Sequence, residues 1–254
     1  MIKELISKFG KEKINTLTKY SSILTLHQLG EKGRLKNEFT TAIHDEQMYA
    51  TEKIDGTSAR IISYGAEYLI GAREFILHHS EDLYFDNAQG IVDGLKSLHI
   101  NVPQTQKLTV IYGEFYGGKT SANSTWYGQD KNGFRVFDIA VYDDLSVLKM
   151  EQAEISTWRE RETENGIIYG QKFLTRSEMQ HQFSDFQLVP LIEFELGDMS
   201  HKVIMDNLKK FIPTTNVALS ENACKKSEGL VLRNENRSKI VKVRFEDYER
   251  TLRS

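Results

Sequence analysis

Ile2, Leu5, Ile6 and Phe9 fall at the i, i+3, i+4, i+7 spacing of one helix face, and Gly10 follows where a helix would stop. This predicts a short amphipathic helix at the amino end. From residue 48 onward the pattern shifts to clusters of β-branched and aromatic residues at 60–64, 68–72, 108–116, 135–142, 229–233 and 239–245, which predict strands. Between them, Ile91, Val92, Leu95 and Leu98 predict one helix, and Val203, Ile204, Leu208 and Phe211 another. Strands in groups separated by helices, without a regular βαβ alternation, place the chain in the α+β class rather than among doubly wound sheets. No internal repeat, Gly/Ser-rich linker or block of like charge divides it, so residues 1–254 are expected to form a single domain.

Composition narrows the class. With 39% hydrophobic and 27% charged residues and only three prolines, the chain is neither low-complexity nor fibrous. It contains no apolar run long enough to cross a membrane, and Met1-Ile2-Lys3-Glu4-Leu5 lacks the plan of a secretory signal, so an intracellular, cytoplasmic protein without membrane contact is expected. The single cysteine, Cys224, rules out an internal disulfide and a multi-cysteine zinc site. Thirty-three basic against 36 acidic residues give a formal charge of −3, so any surface for nucleic acid must be local.

Five clusters carry the candidate chemistry. Glu52-Lys53-Ile54-Asp55-Gly56-Thr57 places a polar group and a glycine just before an apolar strand, and predicts a strained loop presenting Lys53; taken alone it also fits a solvated turn. Tyr112-Gly113-Glu114-Phe115-Tyr116-Gly117 sets a carboxylate at the end of an apolar strand beside small residues, where a ligand could approach the backbone. Phe134-Arg135-Val136-Phe137-Asp138-Ile139 alternates, so Phe137 and Asp138 should face opposite sides of a strand. Ser227-Glu228-Gly229 sets an acid directly before a buried strand. In 239–245, period two puts Lys242 and Arg244 on one face and Val241, Val243 and Phe245 on the other: a cationic stripe backed by core, or a lysine-protected edge strand.

Other features say less. His78 and His79, adjacent in a strand and without a partner at metal-ligand spacing, read as solvent-facing or polar packing. The stretch 225–254 holds nine Lys/Arg against five acids and could track a phosphate backbone or simply form a solvated face. Lys119, Trp126 and Tyr127 lie in a Gly/Ser/Asn-rich loop that could stack on a nucleic-acid end.

Taken in order, the five clusters resemble the covalent nucleotidyltransferases, the ATP-dependent DNA and RNA ligases and mRNA capping enzymes, over roughly residues 19–248. The likeness is strongest to the RNA ligase 2 branch, where Lys19-Tyr20-Ser21-Ser22, Gly113-Glu114-Phe115 and Val241-Lys242-Val243-Arg244 are all familiar. It implies an adenylation domain of antiparallel sheets with flanking helices. It also implies that Lys53 attacks the α-phosphorus of ATP and carries AMP as a phosphoramidate. An ammonium cannot attack, and with the ordinary lysine value of about 10.4 only about one side chain in a few thousand is neutral at pH 7. Lys242, Arg244 and a bound Mg2+ would disfavour the charged amine and neutralise the departing pyrophosphate. By the same resemblance Glu114 accepts from the ribose hydroxyls, Phe137 stacks on adenine, Glu52 meets the base, and Asp55 and Gly56 complete the nucleotide-binding motif. Arg73 lies near the sugar and the 5′-phosphate end, and Glu228 and Asp138 form an acidic pair for the metal.

Two residues depart from the pattern. Arg244 stands where the family usually has lysine, so it can clamp phosphate but not shuttle a proton; Asp55 matches DNA ligases and capping enzymes better than the best-known phage RNA ligase 2. The sequence ends ten residues after Arg244, so no C-terminal OB-fold is expected. The resulting expectation is an ATP-dependent RNA ligase acting on RNA ends or a nicked duplex, with room for an accessory nucleic-acid-binding partner and a cellular or viral source. The alternatives are a minimal DNA ligase and a non-catalytic nucleotide- or end-binding module.

Overall fold

The computed structural model describes residues 1–41, 43, 47–80, 90–164, 166–194 and 197–253. Along the chain come α1 (Ile2–Phe9), α2 (Lys11–Leu17), β1 (Leu24–Thr25), β2 (His27–Leu29), β3 (Leu35–Phe39), β4 (Met48–Lys53), β5 (Thr57–Gly65), β6 (Glu67–Ala72), β7 (Ile76–His79) and α3 (Ile91–Ser97). They continue with β8 (Thr105–Gly117), β9 (Asn132–Tyr142), α4 (Gln152–Arg159), β10 (Glu160–Thr163), β11 (Gly166–Tyr169), β12 (Lys172–Phe173) and α5 (Arg176–Gln182). The last are β13 (Leu191–Ile192), α6 (His201–Phe211), β14 (Gly229–Asn234), β15 (Ile240–Arg244) and α7 (Phe245–Leu252). This is the expected α+β mixture. Among the described residues no helix is long and apolar enough to cross a membrane.

The elements divide between two compact units. The first comprises Met1–Ser21, Gly56–Tyr116 and Asn132–Leu188, and the second Ser22–Asp55, Gly117–Lys131 and Val189–Ser254.

In the first unit a six-stranded sheet runs in the order β12-β9-β8-β5-β6-β7. β5 pairs antiparallel with β6 and with β8. Neighbouring residues on these strands divide between two cores, as period two requires. Ile62, Leu69, Val110 and Tyr112 join Ile2, Ile14, Leu17 and Ile155 of the helices α1, α2 and α4. Ile61, Ile70, Ile111 and Phe115 join Ile91, Val92 and Leu95 of α3 and Met179 of α5. The sheet is therefore covered on both faces, and its strands read as continuous apolar runs.

In the second unit a five-stranded sheet runs in the order β1-β15-β14-β4-β13. β14 lies antiparallel between β4 and β15, and β1 runs parallel to β15. Ala50, Leu230, Leu232, Val241 and Val243 point from this sheet into a core completed by Ile204, Met205 and Leu208 of α6 and Tyr248 of α7. β15 is thus an interior strand, and the edge-strand alternative for its lysine and arginine does not hold. Phe245, expected to end the strand, opens α7 instead.

Candidate active site

The second unit gathers Lys53, Glu228, Lys242 and Arg244. Lys53 is the last residue of β4, a strand position rather than the predicted loop. Its register partner is Gly229, which also pairs with Arg244 on the far side, and Val231 pairs with Lys242. Since Ala50, Leu230, Leu232, Val241 and Val243 fill the core, alternation turns Lys53, Lys242 and Arg244 to the opposite face. The expected cationic stripe is therefore present. Gly229 has φ 146, and a Cβ there would collide with the Val243 carbonyl oxygen, so only glycine lets the chain turn from Glu228 into β14 at this spot.

Lys53 Nζ donates to Glu228 Oε2 at 2.8 Å. Burial pushes the Glu228 carboxyl above its ordinary range, with the charge and hydrogen bond of Lys53 pulling the other way. Burial also lowers the Lys242 ammonium, helped by the charges of Arg244 and Lys53. For Arg244 burial acts downward, but two hydrogen bonds of 2.8 Å to the carboxylate of Asp247 raise it. The two cations are thus unlike: one is shifted toward giving up its proton, and the other is a fixed charge in a fork.

The link after β4 is held by side chains far away in sequence. The Asp55 N–H donates to Tyr127 Oη at 2.7 Å, and Asn123 Nδ2 donates to Asp55 Oδ2 at 2.8 Å. Tyr127 is fully buried, and burial raises its phenol above the ordinary range, so it stays a neutral brace. It is not the exposed stacking residue its loop suggested. Trp126 is half-buried, with Lys226 Nζ 4.9 Å from its ring centroid. Glu52 faces the core side of β4: Thr215 donates to its Oε1, and the Asn216 N–H donates to its Oε2 at 3.0 Å. Sequence spacing gave no hint of Thr215, Asn123 or Asp247.

The first unit holds the other expected residues. A Cβ at Gly56 would collide with the Phe115 carbonyl oxygen, so this glycine serves a close backbone approach and not a strained φ. Glu114 is half-buried on β8, opposite Ser58 of β5. The Phe134 ring lies over Gly113, so protein and not a ligand occupies that approach. Phe137 meets Tyr20 edge-on at 4.9 Å between centroids, while Tyr20 Oη donates to Asp138 Oδ2 at 2.5 Å. Both neighbours therefore engage one side chain. The alternation slips here, because Val136 and Ile139, three apart, share one core. Asp138 is fully buried. Arg73 is 54% exposed in the turn between β6 and β7. His78 and His79 are both buried, which overturns the solvent-facing alternative.

Glu228 and Asp138, the carboxylates expected to serve a metal, belong to different units. Among the described residues no cluster of three or more His, Cys, Asp or Glu could hold a metal unaided. The basic stretch 225–254 is only partly absorbed by the fold, since Lys225, Lys226 and Arg253 stay exposed. Arg233 and Arg237 are buried, Arg244 pairs with Asp247, and Arg250 and Arg253 pair with Glu246 and Glu249.

One sheet face thus carries a lysine–carboxylate pair beside two further cations. The model of the RNA ligase family matches residues 46–244, and the chain belongs to that family. Among solved structures, a Naegleria gruberi RNA ligase mutant with ATP and Mn aligns at a TM-score of 0.51 and 18% identity, covering 93% of this chain and 59% of that one. Another mutant with ATP and Mn gives 0.46 and 15%, covering 94% and 63%. The same ligase with PPi gives 0.45 and 16%, covering 92% and 64%. The first of these shows a shared fold, and the chain spans less than two thirds of the length of each. No curated protein matches the chain.

Proposed function

We propose that residues 1–254 form one nucleotidyltransferase domain that works as an ATP-dependent RNA ligase, joining a 5′-phosphate to a 3′-hydroxyl through lysyl-AMP and an adenylylated RNA end. The observation that carries this reading is the Lys53–Glu228 pair on a strand face shared with Lys242 and Arg244, in a chain of the RNA ligase family. The ATP and Mn of the aligned Naegleria gruberi ligase support a nucleotide and a divalent cation as its companions.

Attack requires the Lys53 ammonium to lose a proton. Glu228, already hydrogen-bonded to Lys53 and made more basic by burial, is the acceptor in place. The amine nitrogen then bonds to the α-phosphorus, the bond from phosphorus to the bridging oxygen breaks, and pyrophosphate leaves with the negative charge. Arg244, locked by Asp247, holds phosphate oxygens as a fixed cation, and Lys242 can also release a proton to the leaving group. Magnesium binds through one or two carboxylates plus phosphates and water, so Glu228 suffices as its protein ligand, with Asp138 as the second candidate; the ion would offset phosphate charge. Glu114 takes the ribose, Phe137 the adenine and Arg73 the 5′-phosphate end. Gly56 and Asp55 hold the chain after the lysine. Glu52, held by Thr215 and the Asn216 N–H, meets the base in this scheme and anchors that segment.

The transferred AMP next moves to the 5′-phosphate of RNA, and a 3′-hydroxyl attacks the activated phosphate with release of AMP. Incubation with ATP, magnesium and a 5′-labelled RNA, as single strands and as a nicked duplex, tests this. The expected result is a sealed RNA product, with an adenylylated strand accumulating when the 3′-hydroxyl is absent. Sealing of DNA nicks but not RNA would favour the minimal DNA ligase instead.

A further inference from the structure

Phe75 is the one aromatic side chain exposed among the described residues, and at 63% it is the most exposed of the large apolar ones. It stands in the turn between β6 and β7, directly after Arg73 and Glu74. That turn is fixed. The Ala72 N–H donates to the Phe75 carbonyl oxygen at 2.9 Å, and Asn15 Nδ2 donates to the Glu74 carbonyl oxygen at 2.8 Å. Lys19 Nζ donates to Glu74 Oε2 at 2.9 Å. The turn is thus tied at three points, and the ring is held out in solvent instead of folding back onto the sheet.

The turn is also electropositive. Arg73 is 54% exposed and Lys19 is partly exposed, and the two cations share one carboxylate, Glu74, at 3.7 Å from Arg73 Nε and 2.9 Å from Lys19 Nζ. Beneath lies Arg60, 2% exposed, which donates through Nη2 to Asn15 Oδ1, while its Nε and Nη1 have no partner among the described residues. A buried, under-compensated guanidinium sends its field outward through a low-dielectric medium. An apolar ring beside cations is the combination that recognises a nucleotide, since every base offers a π-face and carries a phosphate next to it.

We propose that the β6–β7 turn is an RNA contact in which Phe75 stacks on an unpaired base while Arg73 and Lys19 take the flanking phosphates. The proposal rests on the ligase reading and extends it from the nucleotide to the RNA strand. Asn15 and Arg60 act as positioning residues that keep the turn rigid.

The test is binding of a 5′-phosphorylated single-stranded RNA, followed by fluorescence anisotropy, to the wild type and to Phe75→Ala, Phe75→Leu and Phe75→Tyr, with lysyl-AMP formation read on the same preparations. Phe75→Ala and Phe75→Leu are expected to weaken RNA binding by roughly tenfold or more, the usual effect of losing one base stack. Phe75→Tyr should bind like the wild type, because it keeps the ring. An RNA with abasic sites at its unpaired end should erase the difference between wild type and Phe75→Ala. Equal RNA affinity of wild type and Phe75→Ala, with lysyl-AMP formed by both, overturns the stacking site alone. Wild-type affinity in Phe75→Leu does the same, since a branched aliphatic group cannot stack. Absence of lysyl-AMP from the wild type overturns the ligase reading and this proposal with it.

Discussion

Lys53 Nζ donates to Glu228 Oε2 at 2.8 Å, so the amine that the ligase reading makes nucleophilic is held against a carboxylate that burial has made more basic. The same bond therefore positions the amine and offers it a proton acceptor. Glu228→Gln keeps the shape and removes the acceptor. It should slow lysyl-AMP formation by about 100-fold or more, the usual range for losing a general base, and raise the magnesium concentration that half-saturates the reaction. Single-turnover adenylylation at several magnesium concentrations separates the two effects.

Arg244 and Asp247 form a two-bond fork around a carboxylate that is only 1% exposed. Arg244→Lys retains the charge but cannot reproduce the fork, leaving one oxygen of a buried carboxylate poorly served. We expect a loss of about 2 kcal/mol in unfolding free energy together with weaker adenylylation. Denaturant unfolding with an unchanged slope checks the first part.

Tyr127 braces the segment after the lysine by accepting from the Asp55 N–H. Tyr127→Phe removes the hydroxyl that accepts from Asp55, at a cost of about 1 kcal/mol, and slackens the link behind Lys53. Lysyl-AMP formation should slow while the far-ultraviolet circular dichroism stays the same. Full wild-type rates would show that the brace has no bearing on the chemistry.

His27 contributes a pH dependence whose sign is fixed by its surroundings. Its Nδ1 lies 2.8 Å from Tyr248 Oη, and its ring centroid lies 4.5 Å from that of His201. Burial, with the His201 charge second, lowers it from 6.5 to about 4. The unfolded chain therefore takes up this proton first. Stability from this group is complete above pH 6.5 and is lost as the pH falls from 6.5 toward 4, by up to about 3 kcal/mol. His27→Gln should flatten thermal midpoints across that window. An unchanged slope would place the titration elsewhere.

The strands and the cationic face were legible because period two survives wherever one side of a strand is buried. Val241 and Val243 enter the core, and the predicted strand 239–245 is found as Ile240–Arg244. The short helices α1 and α3 were legible from their apolar spacing, but α2 and α5 were not. α2 buries Ile14 and Leu17, and α5 buries only Met179 among its apolar residues, too few positions to define a helical period. The strand end at Lys53 was hidden because its pairing depends on Gly229, a residue with no sequence link to it. The bracing partners Asn123, Thr215 and Asp247 were invisible for the same reason, and Tyr127 was noticed but given the wrong role: their bonds follow from tertiary contacts and leave no spacing to read. At Phe137 and Asp138 the alternation itself slips, so a strict two-residue rule misplaced them.

The most direct test of the account is incubation of the wild type and Lys53→Ala with magnesium and α-labelled ATP, followed by denaturing electrophoresis and peptide mapping. The account predicts an acid-labile, alkali-stable label on the wild type, released by pyrophosphate, mapped to Lys53 and lost in Lys53→Ala. A correctly folded wild type that takes up no label, or a label that persists in Lys53→Ala, would contradict it.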